Sequence, residues 1–110
     1  MFSGCSSLSD IKSLEKWNVS NCNNFQYMFS RCSSLSNIKA LKKWNVSNGN
    51  NFSCMFSGCS SLKELNLTKF NNNNVINIRS MFYGCSDDII GKIKSENKNI
   101  KEEAFIKFYF

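Results

Sequence analysis

Apolar residues return along the chain at nearly constant intervals, and each return is marked by the dipeptide Met-Phe. The dipeptide occurs four times, at spacings of 27, 27 and 26 residues: Met1-Phe2, Met28-Phe29, Met55-Phe56 and Met81-Phe82. Unit 1 (1–27) and unit 2 (28–54) are identical at 20 of 27 positions, and unit 3 (55–80) keeps the apolar positions in a shorter unit. Self-similarity at such a period predicts a repeat architecture, in which each unit packs on its neighbours.

Around each Met-Phe pair the apolar spacing is that of a short helix. Phe25, Met28, Phe29 and Cys32 follow the order i, i+3, i+4, i+7, and the same order recurs in the later units. This spacing places the four side chains on one face of about two helical turns. Polar Asn and Ser residues just upstream are suitable N-caps. The pattern therefore predicts one short helix in each unit.

Downstream of each helix the period changes. In unit 3, Leu65 and Leu67 alternate as in a strand. In unit 1, Leu8, Ile11 and Leu14 are spaced by three, because unit 1 has one more residue than unit 3. A bulge or a looser coil before the strand would absorb that residue. Stacked units would join such strands into a parallel sheet. The predicted fold class is thus an α/β solenoid, a leucine-rich-repeat-like stack of about three coils, each a short helix plus a short strand.

The residues expected to form the inward-facing columns of this stack share the repeat positions Met, Phe, Cys and Leu. They are Met1, Phe2, Cys5, Leu8, Met28, Phe29, Cys32, Leu35, Met55, Phe56, Cys59, Leu62, Met81, Phe82 and Cys85. Small apolar thiols suit the interior of a tight coil, so we interpret the repeated cysteines as packing residues.

The last segment departs from the repeat. Ser86, Asp87 and Asp88 are suited to begin a helix that continues to Ile93, and acidic residues favour a helix N-terminus. The amphipathic remainder would then lie over the last coil as a helical C-terminal cap, with a membrane-surface or partner-binding helix as the alternative. We therefore divide the chain into a solenoid, 1–86, and a cap, 87–110.

The repeat motif resembles a known family. Met-Phe-x-x-Cys-x-x-Leu, at 1–8, 28–35 and 55–62, is similar to the 26-residue surface-protein repeat of BspA-like leucine-rich-repeat proteins, a domain of unknown function found in mycoplasma, other bacteria and protists. The resemblance covers about residues 1–86. It implies a leucine-rich-repeat-like solenoid that serves in surface display, adhesion or protein binding, usually as a fragment of a longer array. It carries over no catalytic residue.

The composition and motifs of the chain argue against most common kinds of catalytic site. The chain has no histidine, which excludes Ser-His and Cys-His nucleophile pairs, and it has neither a phosphate-binding glycine motif nor a recurring carboxylate pair. Cysteine spacing does not suit zinc. We expect no catalytic residue, cofactor, metal or small-molecule substrate, and no transmembrane segment. The net charge of +6 indicates either scattered solvated lysines, which we favour, or a basic patch for an anionic partner.

The favoured function is a non-enzymatic interaction module whose protein partner is unknown. Its outward face is expected to include Ala40 and the candidate binding residues Lys12, Lys39, Lys63, Glu64, Asn66 and Thr68. The alternatives are a structural spacer within a longer surface array and, with less support, a basic binder of anionic surfaces; a nucleic-acid partner is not expected. The resemblance suggests a cell-surface or secreted location, but no signal peptide is visible, which leaves a cytoplasmic location open.

Overall fold

Short turns dominate the described part of the chain. The structure is a computed structural model that describes residues 4–46, 48–64, 77–96 and 100–107. Within these ranges one α-helix, α1, runs from Asp87 to Glu96, and three 3₁₀ helices span Lys12–Leu14, Lys39–Lys43 and Glu102–Ala104. Parallel bridges join consecutive units at isolated positions only: Asp10 to Asn37, Asn24 to Asn51, and Asn51 to Asn77.

Left-handed residues on both sides of the last three Met-Phe pairs prevent the predicted helices. In unit 2 these residues are Tyr27 with φ of 60° and Arg31 with φ of 63°. Their equivalents, also at positive φ, are Cys54, Gly58, Ser80 and Gly84. An α-helix requires φ near −63°, so a left-handed residue every fourth position breaks it. The prediction of one helix per unit is therefore wrong, and the helix-like spacing comes from successive tight turns.

Alternate amides in these turns point in different directions. The N–H groups of Phe25, Tyr27 and Phe29 donate to carbonyls one unit later in the chain, at 2.7, 3.0 and 2.9 Å. The intervening amides of Met28 and Ser30 donate to the carbonyl three residues earlier, at 3.3 and 3.1 Å. Half of these N–H groups thus find an acceptor within their own unit and half in the neighbouring unit. No donor among them is left without an acceptor, which is the requirement for buried backbone groups.

The predicted strands fail for a different reason. A spacing of three throughout matches the 3.0 residues per turn of a 3₁₀ helix, and Lys12–Leu14 and Lys39–Lys43 adopt that conformation. Leu65 and Leu67, which carried the strand prediction in unit 3, lie outside the described residues. Because the described part of the chain holds no strand, no sheet and only α1 as an α-helix, the predicted α/β solenoid of helix-strand coils is wrong.

Equivalent phenylalanines of consecutive units stack with nearly parallel rings. The ring centroids of Phe29 and Phe56 are 5.8 Å apart with planes 10° from parallel, and those of Phe56 and Phe82 are 6.1 Å apart at 3°. Phe25 and Phe52 form a second stack at 5.2 Å. These distances lie within the range for favourable offset stacking. Phe2, the first member of the longer column in the sequence, is outside the described residues.

The C-terminal segment packs on the last unit. The Ser86 hydroxyl accepts the Ile89 N–H at 3.3 Å, which caps α1 at the position that the sequence suggested. Ile89 and Ile93 are buried, so the apolar side of α1 faces the core. The Phe82 N–H donates to the Ala104 carbonyl at 2.8 Å, which places the third 3₁₀ helix beside unit 4, the unit that begins at Met81.

The result is a globule of nearly equal dimensions, 31 × 31 × 29 Å, with a radius of gyration of 12.7 Å. A globular chain of this length is expected at roughly 13 Å. No helix in the described ranges has the length and apolar character that crossing a bilayer requires. The core is one continuous cluster of buried apolar side chains from Ile11 to Ala104.

Candidate binding surface

The first two 3₁₀ helices place lysines on one side of the globule because their apolar residues point inward. Leu14 is buried beneath the first, and Leu41 is buried beneath the second. Lys12 and Lys39, two residues before each buried leucine, are exposed. Burial of one face of a short helix leaves the opposite side chains in solvent, and the apolar residues therefore determine the direction of the lysines.

Asx turns hold the beginning of both helices in the same conformation. The Asp10 carboxylate accepts the Lys12 N–H at 3.2 Å, and the Asn37 side-chain oxygen accepts the Lys39 N–H at 3.0 Å. Asp and Asn commonly form such turns with the backbone two residues later. Because Asp10 and Asn37 are also bridged to each other, the two helices begin side by side.

Unit 3 continues this arrangement. The Ser36 N–H donates to the Ser9 carbonyl at 3.1 Å, and the Lys63 N–H donates to the Ser36 carbonyl at 3.4 Å. Segments 9–16, 36–43 and 63–64 therefore lie side by side as three rows, one from each unit, and Lys63 is in the row next to the second 3₁₀ helix. We call the exposed lysines of these three rows the lysine surface; they are Lys12, Lys16, Lys39, Lys42, Lys43 and Lys63.

Two ion pairs cross between rows of the lysine surface. Lys39 Nζ lies 4.0 Å from Glu64 Oε1, and Lys43 Nζ lies 3.4 Å from Glu15 Oε1. All four side chains are substantially exposed, so each pair stabilises the fold by at most about 1 kcal/mol. Among the described residues, the other lysines of this surface, Lys12, Lys16, Lys42 and Lys63, have no carboxylate within the 4.0 Å of an ion pair. Their charges therefore remain available to a partner.

The structure brings together part of the set predicted from sequence. Lys12, Lys39 and Lys63 are exposed, and Glu64 is partly exposed beside Lys39. Ala40 is only 6% exposed and belongs to the core, so its assignment to the outward face is wrong. Asn66 and Thr68 lie outside the described residues.

Three members of the lysine surface were not in the predicted set. Lys42 and Lys43 are the last two residues of the second 3₁₀ helix, and Lys16 lies two residues after the end of the first. The signal was the three-residue apolar spacing, because each of these lysines falls between two apolar positions, Leu14 and Trp17 or Leu41 and Trp44.

The apolar side chains at the repeat positions are buried in units 2 and 3 and more exposed in unit 1. Leu35, Leu62, Cys32 and their neighbours in the inner units are buried. In unit 1, by contrast, Cys5 is exposed and Leu8 is half-buried. Met1 and Phe2 are outside the described residues.

The buried cysteines at the repeat position, which we call the cysteine column, pack in the core, and two of them are held as protonated thiols. The Cys59 thiol donates to the Phe29 carbonyl at 3.1 Å, and the Cys85 thiol donates to the Phe56 carbonyl at 3.4 Å. Burial raises the pKa of Cys59 to about 12 and that of Cys85 to about 12. A thiolate is the nucleophile and metal ligand, so thiols held protonated serve neither role near neutral pH. No group of three or more potential metal ligands occurs in the described ranges.

These raised pKa values predict loss of stability in alkali. The unfolded thiols have a pKa of about 9, so the stabilisation is complete below that pH and declines as the pH rises towards about 12. Each thiol then costs roughly 1.4 kcal/mol per pH unit, and the two together should lower the unfolding free energy by about 3 kcal/mol at a pH of about 10. Urea denaturation at about pH 7.5 and about pH 10 measures this change.

The matched control for the alkaline prediction is Cys59→Ala, which removes one titrating thiol. Its unfolding free energy should decline less than that of the wild type between the two pH values, by about 1.4 kcal/mol. Equal declines in both proteins would show that other groups, and not the buried thiol, cause the alkaline sensitivity.

Comparison with known proteins places the chain in a family whose function is not known. No curated protein and no solved structure matches it, and nothing in these comparisons supports the more specific identity of a BspA-like leucine-rich-repeat protein. Residues 1–105, nearly the whole chain, match the family model described as mycoplasma protein of unknown function, DUF285. That match extends through the repeats and on to the third 3₁₀ helix, and the chain is therefore a member of the DUF285 family.

Proposed function

We propose that the protein is a non-enzymatic module that binds another protein through the lysine surface. The observation that carries this proposal is the side-by-side placement of the first two 3₁₀ helices, which holds exposed lysines of separate units on one continuous face. Side chains on a rigid core lose less conformational entropy on binding than side chains on a loose loop. The rows are fixed by main-chain hydrogen bonds, and this gives the surface that rigidity.

The composition of the molecule supports binding over catalysis. The chain contains no histidine, and burial holds two thiols of its cysteine column protonated. The repeat also resembles that of BspA-like surface proteins, and this likeness supports display or adhesion as the setting for binding.

Affinity capture with charge-reversed variants tests the proposal. Lys12→Glu combined with Lys63→Glu removes two lysines of the surface that have no ion pair within the described residues. We expect at least one protein captured from the native cells by the wild type to be reduced about tenfold in this double variant, because opposed charges become like charges. Quantitative mass spectrometry of the captured proteins measures the ratio.

A matched control separates the surface from the overall charge. Lys92→Glu combined with Lys101→Glu makes the same change in net charge at exposed positions outside the lysine surface. Captured partners should be retained by this control. Capture of the same proteins in equal amounts by the wild type and both double variants, all folded by circular dichroism, would refute binding at the lysine surface. A structural spacer would give that result.

A further inference from the structure

The arrangement of charges on the lysine surface identifies the kind of partner that fits it. Six lysines and three carboxylates, those of Asp10, Glu15 and Glu64, give this face a net charge of +3. Glu15 and Glu64 are each engaged by a lysine of the neighbouring row. The uncompensated positive charge is therefore concentrated on Lys12, Lys16, Lys42 and Lys63 rather than spread evenly.

We infer that the ligand of the lysine surface is an acidic protein segment with separated carboxylates, an inference that rests on the proposed function. Carboxylates of such a segment can meet the four lysines without ion pairs and still avoid Glu15 and Glu64. Complementary placement of opposite charges speeds association and excludes partners that bring like charges together. A partner with discrete charges satisfies this pattern.

A nucleic acid fits the same face less well. Its backbone carries a continuous series of phosphates, some of which would face the three carboxylates of the surface. The segments 9–16, 36–43 and 63–64 contain no arginine, and arginine is the residue that binds phosphate in a bidentate manner.

A membrane surface also fits less well. Peripheral binding combines electrostatic attraction with apolar side chains inserted among the lipids. The apolar residues of the two 3₁₀ segments, Ile11, Leu14, Ile38 and Leu41, are buried in the core. Trp17, the residue after Lys16, is the only large apolar side chain of segments 9–17, 36–43 and 63–64 with substantial exposure, 41%. Attraction would therefore come mainly from charge, and the carboxylates of the face would again oppose it.

Defined probes test the inference. A labelled 12-residue peptide that repeats Glu-Ser is compared with a Gln-Ser peptide, a 12-base-pair DNA duplex and vesicles that contain phosphatidylserine. We expect the wild type to bind the Glu-Ser peptide in preference to the other three. Lys12→Glu with Lys63→Glu should weaken peptide binding about tenfold, and Lys92→Glu with Lys101→Glu should weaken it less than about twofold. Fluorescence anisotropy measures binding at low and at physiological salt.

Each result has a defined meaning. Preference for the duplex or the vesicles, equal weakening by both double variants, or no binding of the Glu-Ser peptide would overturn the acidic-partner inference. If protein capture still depends on Lys12 and Lys63 in that case, the proposed function stands and recognition uses other contacts. If the peptide binds as expected but capture does not depend on these lysines, the proposed function fails while the ligand preference of the surface is established.

Discussion

Replacement of Trp44 by alanine is expected to lower the free energy of unfolding by about 3–5 kcal/mol. Trp44 is only 1% exposed, and its ring centroid lies 6.3 Å from that of Phe25 and 6.5 Å from that of Phe29. Its indole N–H donates to the Leu14 carbonyl at 2.9 Å, and the alanine variant would remove this bond along with the apolar contacts. Urea denaturation followed by circular dichroism measures the loss.

The chain supplies an internal control at the equivalent repeat position of unit 1. Trp17 is 41% exposed, so Trp17→Ala should cost at most about 1.5 kcal/mol. Trp44→Phe keeps most of the apolar area but removes the donor, and we expect a loss between those of the two alanine variants. Equal losses for Trp17→Ala and Trp44→Ala would show that the burial difference between the units does not exist in solution.

Replacement of Phe56 by alanine should be comparably damaging, by about 3–5 kcal/mol. Phe56 is fully buried between Phe29 and Phe82, and it is the only one of the three that stacks on both of the others. The variant therefore removes two aromatic contacts and opens a cavity in the middle of the core. Small domains have total stabilities of about 5–15 kcal/mol, so the melting temperature should fall steeply.

Two variants separate the contribution of the stack from that of volume. Phe56→Leu retains most of the apolar volume and should cost about 1.5 kcal/mol or slightly more. Tyr83→Ala removes a ring that is 41% exposed and should cost less than about 1 kcal/mol. A Phe56→Leu loss as large as that of Phe56→Ala would mean that ring stacking, and not cavity formation, dominates at this position.

The sequence predicted which residues are equivalent better than it predicted the conformation of the chain. The period placed Phe29, Phe56 and Phe82 at one repeat position, and their rings stack in the structure. The conformation was missed because the spacing of apolar residues reports only which side chains share a side. A helix and a series of turns with left-handed residues at Tyr27 and Arg31 give the same order of apolar positions.

A local signal for the turns was present but weak. Gly58 and Gly84 occupy the position at which the backbone has φ of 79° and 83°, and glycine is the residue that enters this region without steric cost. Arg31 occupies the same position in unit 2 and concealed the pattern. At the candidate surface, Lys12, Lys39 and Lys63 are exposed, whereas Ala40, which the assumed strand placed outward, is buried.

The alternation of amide donors restricts how such a chain can change in length. From Phe25 to Arg31, every second N–H crosses to the next unit and the others close turns. A single residue added inside this segment would shift the alternation for every later position in it. N–H groups that now donate to the next unit would then point into their own turn. The difference between 27 and 26 residues falls instead between Leu62 and Phe70, outside the segment in which the donors alternate.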